Sequence, residues 1–123
     1  MNSDFFPKQL FLLLNELGFN LVEVLPNGTI KASFNIGSVV YPFLIKYSEE
    51  ENFSTTDEEI KLFFAELSLF ANSIKGVKGL FIASKDYTED ARKSALSLGV
   101  ALTTYEELIS KIINFSNYIN HIV

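Results

Sequence analysis

With 123 residues, 48% of them hydrophobic, the chain has the length of one domain, residues 1–123, and enough apolar content to bury a core without cross-links. The absence of cysteine excludes disulfides, zinc-thiolate sites and thiol catalysis and agrees with a reducing, cytoplasmic compartment; the apolar runs are too short for a membrane span, and Asp4 with no basic region ahead of an apolar stretch does not read as a secretory signal. A formal net charge of -5, with Arg92 the only arginine among ten cationic residues, argues against tight, charge-driven binding of nucleic acid over a broad surface.

In chain order, Asp4 and Pro7 predict the start of a helix whose apolar stripe is Phe6, Leu10, Leu13, Leu14 and Leu17, stopped by Gly18. Phe11 and Leu12 fall off that stripe. Phe19 to Leu25 alternates as a strand, Pro26-Asn27-Gly28 is a tight turn into a second strand over Thr29 to Asn35, and Ile36-Gly37-Ser38 turns again. The third strand, Val39 to Ser48, is almost unbroken in apolar residues until Lys46, which predicts a central strand buried on both faces. Pro42 within it cannot donate to a ladder, so it predicts a bulge or the strand's start.

Glu49 to Thr56 reads as a solvated acidic loop, and Thr56-Asp57-Glu58-Glu59 has the form of a capping box. The helix it opens carries Ile60, Phe63, Phe64, Leu67, Phe70, Ala71 and Ile74 on one face, with Leu62 and Leu69 widening the stripe, and Gly76 closes it. Gly79 to Ser84 reads as a buried strand parallel to its neighbour, because it follows a crossover helix. Thr88 caps a helix with the small inner face Ala91, Ala95 and Leu98, ended by Gly99. Val100 to Leu102 is a last short strand. Thr104-Tyr105-Glu106-Glu107 then opens a C-terminal helix lined by Tyr105, Leu108, Ile109, Ile112, Phe115 and Ile119. The resulting order is an αβββαβαβα α/β sandwich with a mixed sheet.

That order, and particular residues within it, resemble the Mrr-type restriction endonuclease family, whose fold is the restriction-endonuclease-like PD-(D/E)xK nuclease sandwich. The stretch GLFIASKDYTEDARKSALSLGVALTTYEELI from Gly79 is similar to the family's strand, short Ser/Thr turn, aromatic, Thr-capped helix with spaced alanines, glycine, strand and final helix; Ser84, Tyr87, Thr88, Ala91 and Ala95 carry the match. Leu13-Leu14, Leu17-Gly18-Phe19 and Val22-Glu23-Val24 resemble the family's first helix end and first strand, and the resemblance runs from about Phe6 to Ile112. It implies carboxylates that hold Mg²⁺ and a lysine beside them. Those places fall on Lys31 in the second strand, Leu44 in the third, and Pro7 in the first helix, while Lys46 matches the lysine. The resemblance therefore implies the fold and withdraws the activity.

Each candidate has a plainer reading beside the functional one. Lys46 is a catalytic relic or phosphate contact, or a strand-end lysine snorkelling to water. Glu23 is a relocated metal ligand, or the outward position of an alternating strand; Asp86 is a second relocated ligand, or part of a helix-capping turn. Glu49-Glu50-Glu51 and Asp57-Glu58-Glu59 lack the spacing and central glycine of a calcium loop, and His121 has no second histidine with which to build a zinc site. Two functional readings follow. One is a non-catalytic, degenerate nuclease-fold protein without a cofactor, working as a homodimer or with a protein partner, in a DNA-related system. The other is a Mg²⁺-dependent DNA endonuclease, of the restriction or Holliday-junction-resolvase kind, with Glu23 and Asp86 as ligands. Twelve phenylalanines and the surplus apolar residues Phe11, Leu12, Leu62, Leu69 and Ile113 predict either an enlarged core or an interface.

Overall fold

The computed structural model describes residues 5–25, 28–48 and 54–111, together with Ile119 and Ile122. Its elements are α1 (Phe5–Leu17), β1 (Phe19–Val24), β2 (Ile30–Ile36), β3 (Val39–Tyr47), α2 (Asp57–Ala71), β4 (Lys78–Ala83), α3 (Glu89–Leu98), β5 (Ala101–Thr104) and α4 (Tyr105–Ser110), in the predicted order. Asp4, Pro26, Asn27, Glu49 to Glu51, Ile112, Ile113, Phe115 and His121 lie outside the described residues, as does the side chain of Phe6.

Two tight turns build the antiparallel half of the sheet. The Leu25 amide donates to the Thr29 carbonyl at 2.7 Å and the Gly28 amide to the Leu25 carbonyl at 2.9 Å. Gly28 stands at φ 86°, a left-handed conformation that glycine adopts at no steric cost. Ile36 then faces Val39 across Gly37 and Ser38, and Gly37 has φ 62° while Ser38 does not turn positive, the II′ arrangement that suits strand twist. From β3 the chain crosses through α2 to β4 and through α3 to β5, both in parallel register, Ile45 beside Leu80 and Leu80 beside Ala101. The strand order is β1-β2-β3-β4-β5, so β3 is central.

The expectation that β3 is buried throughout needs correction. Phe43, Leu44 and Ile45 are buried, but Val39 and Val40 are 49% and 57% exposed. Pairing to β4 begins only at Phe43, opposite Lys78, so among the described strands the first four residues of β3 pair with β2 alone. The same fact accounts for Pro42. It pairs with Ser33 in unbroken register, so of the two expectations there is no bulge, and it stands in the opening part of the strand, where one side is open and a missing N–H costs no ladder bond. The sheet's irregularity lies instead between Leu21 and Glu23 of β1.

Side-chain alternation divides the core. Phe43 and Ile45, with Phe19, Ile30, Phe34, Leu80 and Ile82, pack against Leu10, Leu13, Leu14 and Leu17 of α1 and Leu108 of α4, and Ile119 joins them. On the other face Leu44 and Phe81 pack against Ile60, Phe63 and Leu67 of α2 and Ala91 and Ala95 of α3. Phe19 makes edge-to-face contacts with Phe34 and Phe43 at 5.1 and 5.3 Å, and Phe63 with Phe81 at 5.7 Å, so these phenylalanines are core. Full burial of each large apolar side chain contributes about 1.5–3 kcal/mol. Two expected face residues point outward. Ala71 is exposed, being the last residue of α2, and Ile109 is 47% exposed because Leu108 takes the inward position of the short α4.

Helix α2 approaches β4 closely at Gly79, where a Cβ would meet Leu67 Cδ2 at 2.7 Å and Phe63 Cε2 at 3.1 Å. Leu67 can move, but the Phe63 ring is fixed by Phe81. Gly79→Val is therefore expected to destabilise the fold by about 1–3 kcal/mol, read as a lower urea midpoint with an unchanged slope; an unchanged midpoint contradicts the close approach. At the start of α3 the Thr88 hydroxyl accepts from the Ala91 amide at 3.0 Å. Thr88→Ala is expected to cost about 1 kcal/mol in the same titration, and Thr88→Ser to recover most of it.

Candidate functional site

The C-terminal end of β3, the β1–β2 turn, α1 and α2 enclose a cleft of about 470 Å³, a volume usual for small-ligand sites. Among the described residues its apolar lining includes Leu10, Phe11, Val24, Ile30, Leu62, Phe63 and Phe81, and its polar lining includes Lys46, Tyr47, Ser48, Glu59 and Glu66. The site lies where a strand of an open α/β sheet ends, the usual position for ligand crevices. The Ser48 amide donates to the Ile82 carbonyl at 2.9 Å, which holds the exit of β3 against β4.

Two glutamates reach the cleft from α2, seven residues and about two turns apart. Glu59 accepts from the Thr56 amide at 3.3 Å through Oε1 and from the Ser48 hydroxyl at 3.2 Å through Oε2. It thus closes the predicted capping box and ties α2 to the end of β3. Glu66 Oε1 accepts from the hydroxyl of Thr29 at 3.1 Å, and Thr29 is fully buried. Sequence reasoning had Glu59 only as a helix-start acid and passed over Glu66. Its signal was an acidic residue set among Phe63, Leu67 and Phe70, inside the apolar face of α2.

Lys31 and Leu44, the places where the family resemblance puts carboxylates, stand directly opposite each other in the β2–β3 register, and Lys46 follows Leu44 on the same face of β3. Leu44 is completely buried among α2 and α3 side chains. Lys31 Nζ lies 3.3 Å from Glu23 Oε1 and 5.8 Å from the centre of the Phe70 ring. Both members of this ion pair are partly exposed, so it adds little to stability, but it decides where Glu23 points. Glu23 faces a cation across the β1–β2 ladder and is not part of the cleft lining.

Asp86 is elsewhere. Its carboxylate accepts from the Ser54 hydroxyl, its carbonyl accepts from the Thr55 amide at 3.0 Å, and the Thr88 amide donates to the Thr55 carbonyl at 3.0 Å. This stitches the approach to α2 onto the β4–α3 turn. Asp86 borders a separate shallow depression with Lys85, Tyr87, Thr104 and Glu107. There burial, then the Glu107 carboxylate, pushes the Tyr87 hydroxyl above its ordinary value, with Arg92 pulling the other way. Lys46, Glu23 and Asp86 are therefore not gathered in one cleft. Among the described residues no group of three or more His, Cys, Asp or Glu side chains could hold a metal ion. No helix among them is long and apolar enough to cross a membrane.

No protein-family model matches the sequence, and no curated protein matches it significantly. Solved structures do match. The DNA modification-dependent restriction endonuclease AspBHI superposes with a TM-score of 0.61 at 14% identity, over 98% of this chain and 35% of that one. EndoMS in its apo form gives 0.60 at 12% identity, over 83% of this chain and 45% of that one. The MspJI restriction endonuclease, in complex with a 27-mer oligonucleotide, gives 0.52 at 12% identity, over 95% of this chain and 30% of that one. The chain thus spans less than half the length of each. At these identities the likeness is one of fold, and it agrees with the element order, the sheet and the two helix layers: the chain has a restriction-endonuclease-like fold.

Proposed function

We propose that this chain is a degenerate nuclease-fold protein that does not cut DNA and works by association, as a homodimer or as a subunit with a protein partner, in a nucleic-acid-related system of the cytoplasm. One observation carries the loss of activity: Lys31 and Leu44 face each other where the family resemblance places metal ligands. Metal-assisted phosphodiester cleavage needs several oxygen donors around a hard cation. An ammonium group repels that cation, and a buried leucine offers no donor. Lys46 alone supplies a positive charge without an ion to orient water, so its role is at most a phosphate contact.

The association half of the reading is supported by exposed apolar side chains. Leu12, Leu62 and Leu69 are 62%, 73% and 72% exposed. Each such side chain left in water forgoes roughly 1.5–3 kcal/mol of burial, and a two-fold dimer is the simplest closed way to cover a repeated patch. A Mg²⁺-dependent endonuclease is the second reading. What favours it is that Lys46 shares its cleft with the carboxylates of Glu59 and Glu66; those two, rather than Glu23 and Asp86, would then serve as relocated ligands.

Incubation with duplex, single-stranded or branched DNA and Mg²⁺ or Mn²⁺ is expected to leave the DNA intact. Metal-dependent cleavage that disappears in Lys46→Ala and in Glu66→Gln would overturn the first reading in favour of the second. In light scattering the unaltered protein is expected at twice the mass of one chain, and Leu62→Glu with Leu69→Glu is expected to shift it toward monomer. A monomeric unaltered protein well above micromolar concentration contradicts the homodimer.

A further inference from the structure

We infer that two copies of the chain pair through the outer stripe of α2, running in opposite directions about a two-fold axis at Ala65. This deepens the association reading above and rests on it. Helix α2 turns Ile60, Phe63 and Leu67 into the core. Its opposite side carries Glu58, Leu62, Ala65, Leu69 and Asn72, all exposed, with Leu62 at 73% and Leu69 at 72%. These positions advance in alternating steps of four and three residues, the spacing of a seam between two paired helices. The core-facing stripe already supplies what packing on the sheet requires, so the second stripe is surplus to a single chain.

The occupant is a second copy because the stripe reads nearly the same in both directions from Ala65. Glu58 and Asn72 each stand seven residues from it, Leu62 three before and Leu69 four after. Opposed copies set Ala65 against Ala65, Leu62 against Leu69 of the partner subunit, and Glu58 against Asn72 of the partner subunit. The small Ala65 side chain lets the helix axes approach, so that the leucines on either side close over it. Charge decides the direction. Asp57, Glu58 and Glu59 occupy the first turn of α2, and Lys75 is exposed just beyond its end. A parallel pair sets acid against acid, whereas an antiparallel pair sets each acidic end beside Lys75 of the partner subunit and opposes the two helix dipoles. The contact is the same patch on both copies, so association stops at two. One helix pair is at the small end of specific interfaces, and the dimer is expected to dissociate on dilution through the micromolar range.

Because the chain has no cysteine, single introduced thiols report the pairing directly. The test follows disulfide cross-linking of Ala65→Cys under a limiting oxidant, with Leu96→Cys, on the exposed side of α3, as the measure of random collision. Light scattering of the unaltered protein gives the mass alongside. Ala65→Cys is expected to cross-link about tenfold faster than Leu96→Cys or more, since pairing holds the two thiols within bonding distance. Adding Leu62→Glu to Ala65→Cys is expected to return it to the collision rate. Glu58→Cys alone is expected to link slowly, and its equimolar mixture with Asn72→Cys to give the mixed disulfide at the fast rate. Faster linking of Glu58→Cys to itself than to Asn72→Cys would overturn the antiparallel arrangement. A protein of twice the chain mass in which Ala65→Cys links no faster than Leu96→Cys refutes pairing through α2 and leaves the homodimer standing. A monomer with no fast cross-link refutes both.

Discussion

The molecule depends on burial of both faces of β3 over three residues. Phe43 and Ile45 enter the core beneath α1 and α4, and Leu44 enters the core beneath α2 and α3. Leu44 therefore carries a structural duty at a position where the family resemblance expects a metal ligand. An alkyl side chain there joins the sheet to α2 and α3 by apolar contact and offers no oxygen donor. Its cross-strand neighbour Lys31 has its ammonium group turned to Glu23 and Phe70.

On the reading proposed above, the lack of a metal site would alter the electrostatics of everything beside it. In a nuclease, carboxylates near the strand lysine are balanced by a divalent ion. Here the carboxylates near Lys46 come from α2, and hydroxyl groups hold them: Glu66 by Thr29, Glu59 by Ser48. The walls of the cleft are parts of the fold: the end of β3, the β1–β2 turn and the two helices. On that reading the scaffold and the lack of oxygen donors at Lys31 and Leu44 come from one set of side chains.

Most of the architecture was legible in the sequence because local rules govern it. Glycine at Gly28, Gly37, Gly76 and Gly99 marks left-handed backbone, and Thr56, Thr88 and Thr104 stand at the helix starts they predict. The errors arise where a distant element decides the outcome. Val39 and Val40 read as core, but their exposure follows from where β4 begins to pair. Pro42 read as a bulge or the strand's start, and where β4 begins to pair decides against the bulge. The link from Glu66 to Thr29 spans 37 positions, and no periodicity reports it. Lys46 was legible as a singular charge at the end of an apolar strand. Which carboxylates share its cleft was not, because that depends on how α2 lies across the sheet, and Glu23 and Asp86, closer to expectation in sequence, are engaged by Lys31 and Ser54.

The central claim, that the ligand positions no longer hold a metal ion, is tested most directly by titrating Mn²⁺ into the protein and following paramagnetic broadening of its backbone amide signals. Broadening without saturation, spread over exposed carboxylates, is the predicted result. Saturable broadening centred on Ile30, Lys31, Leu44 and Lys46, at micromolar Mn²⁺, would contradict the account.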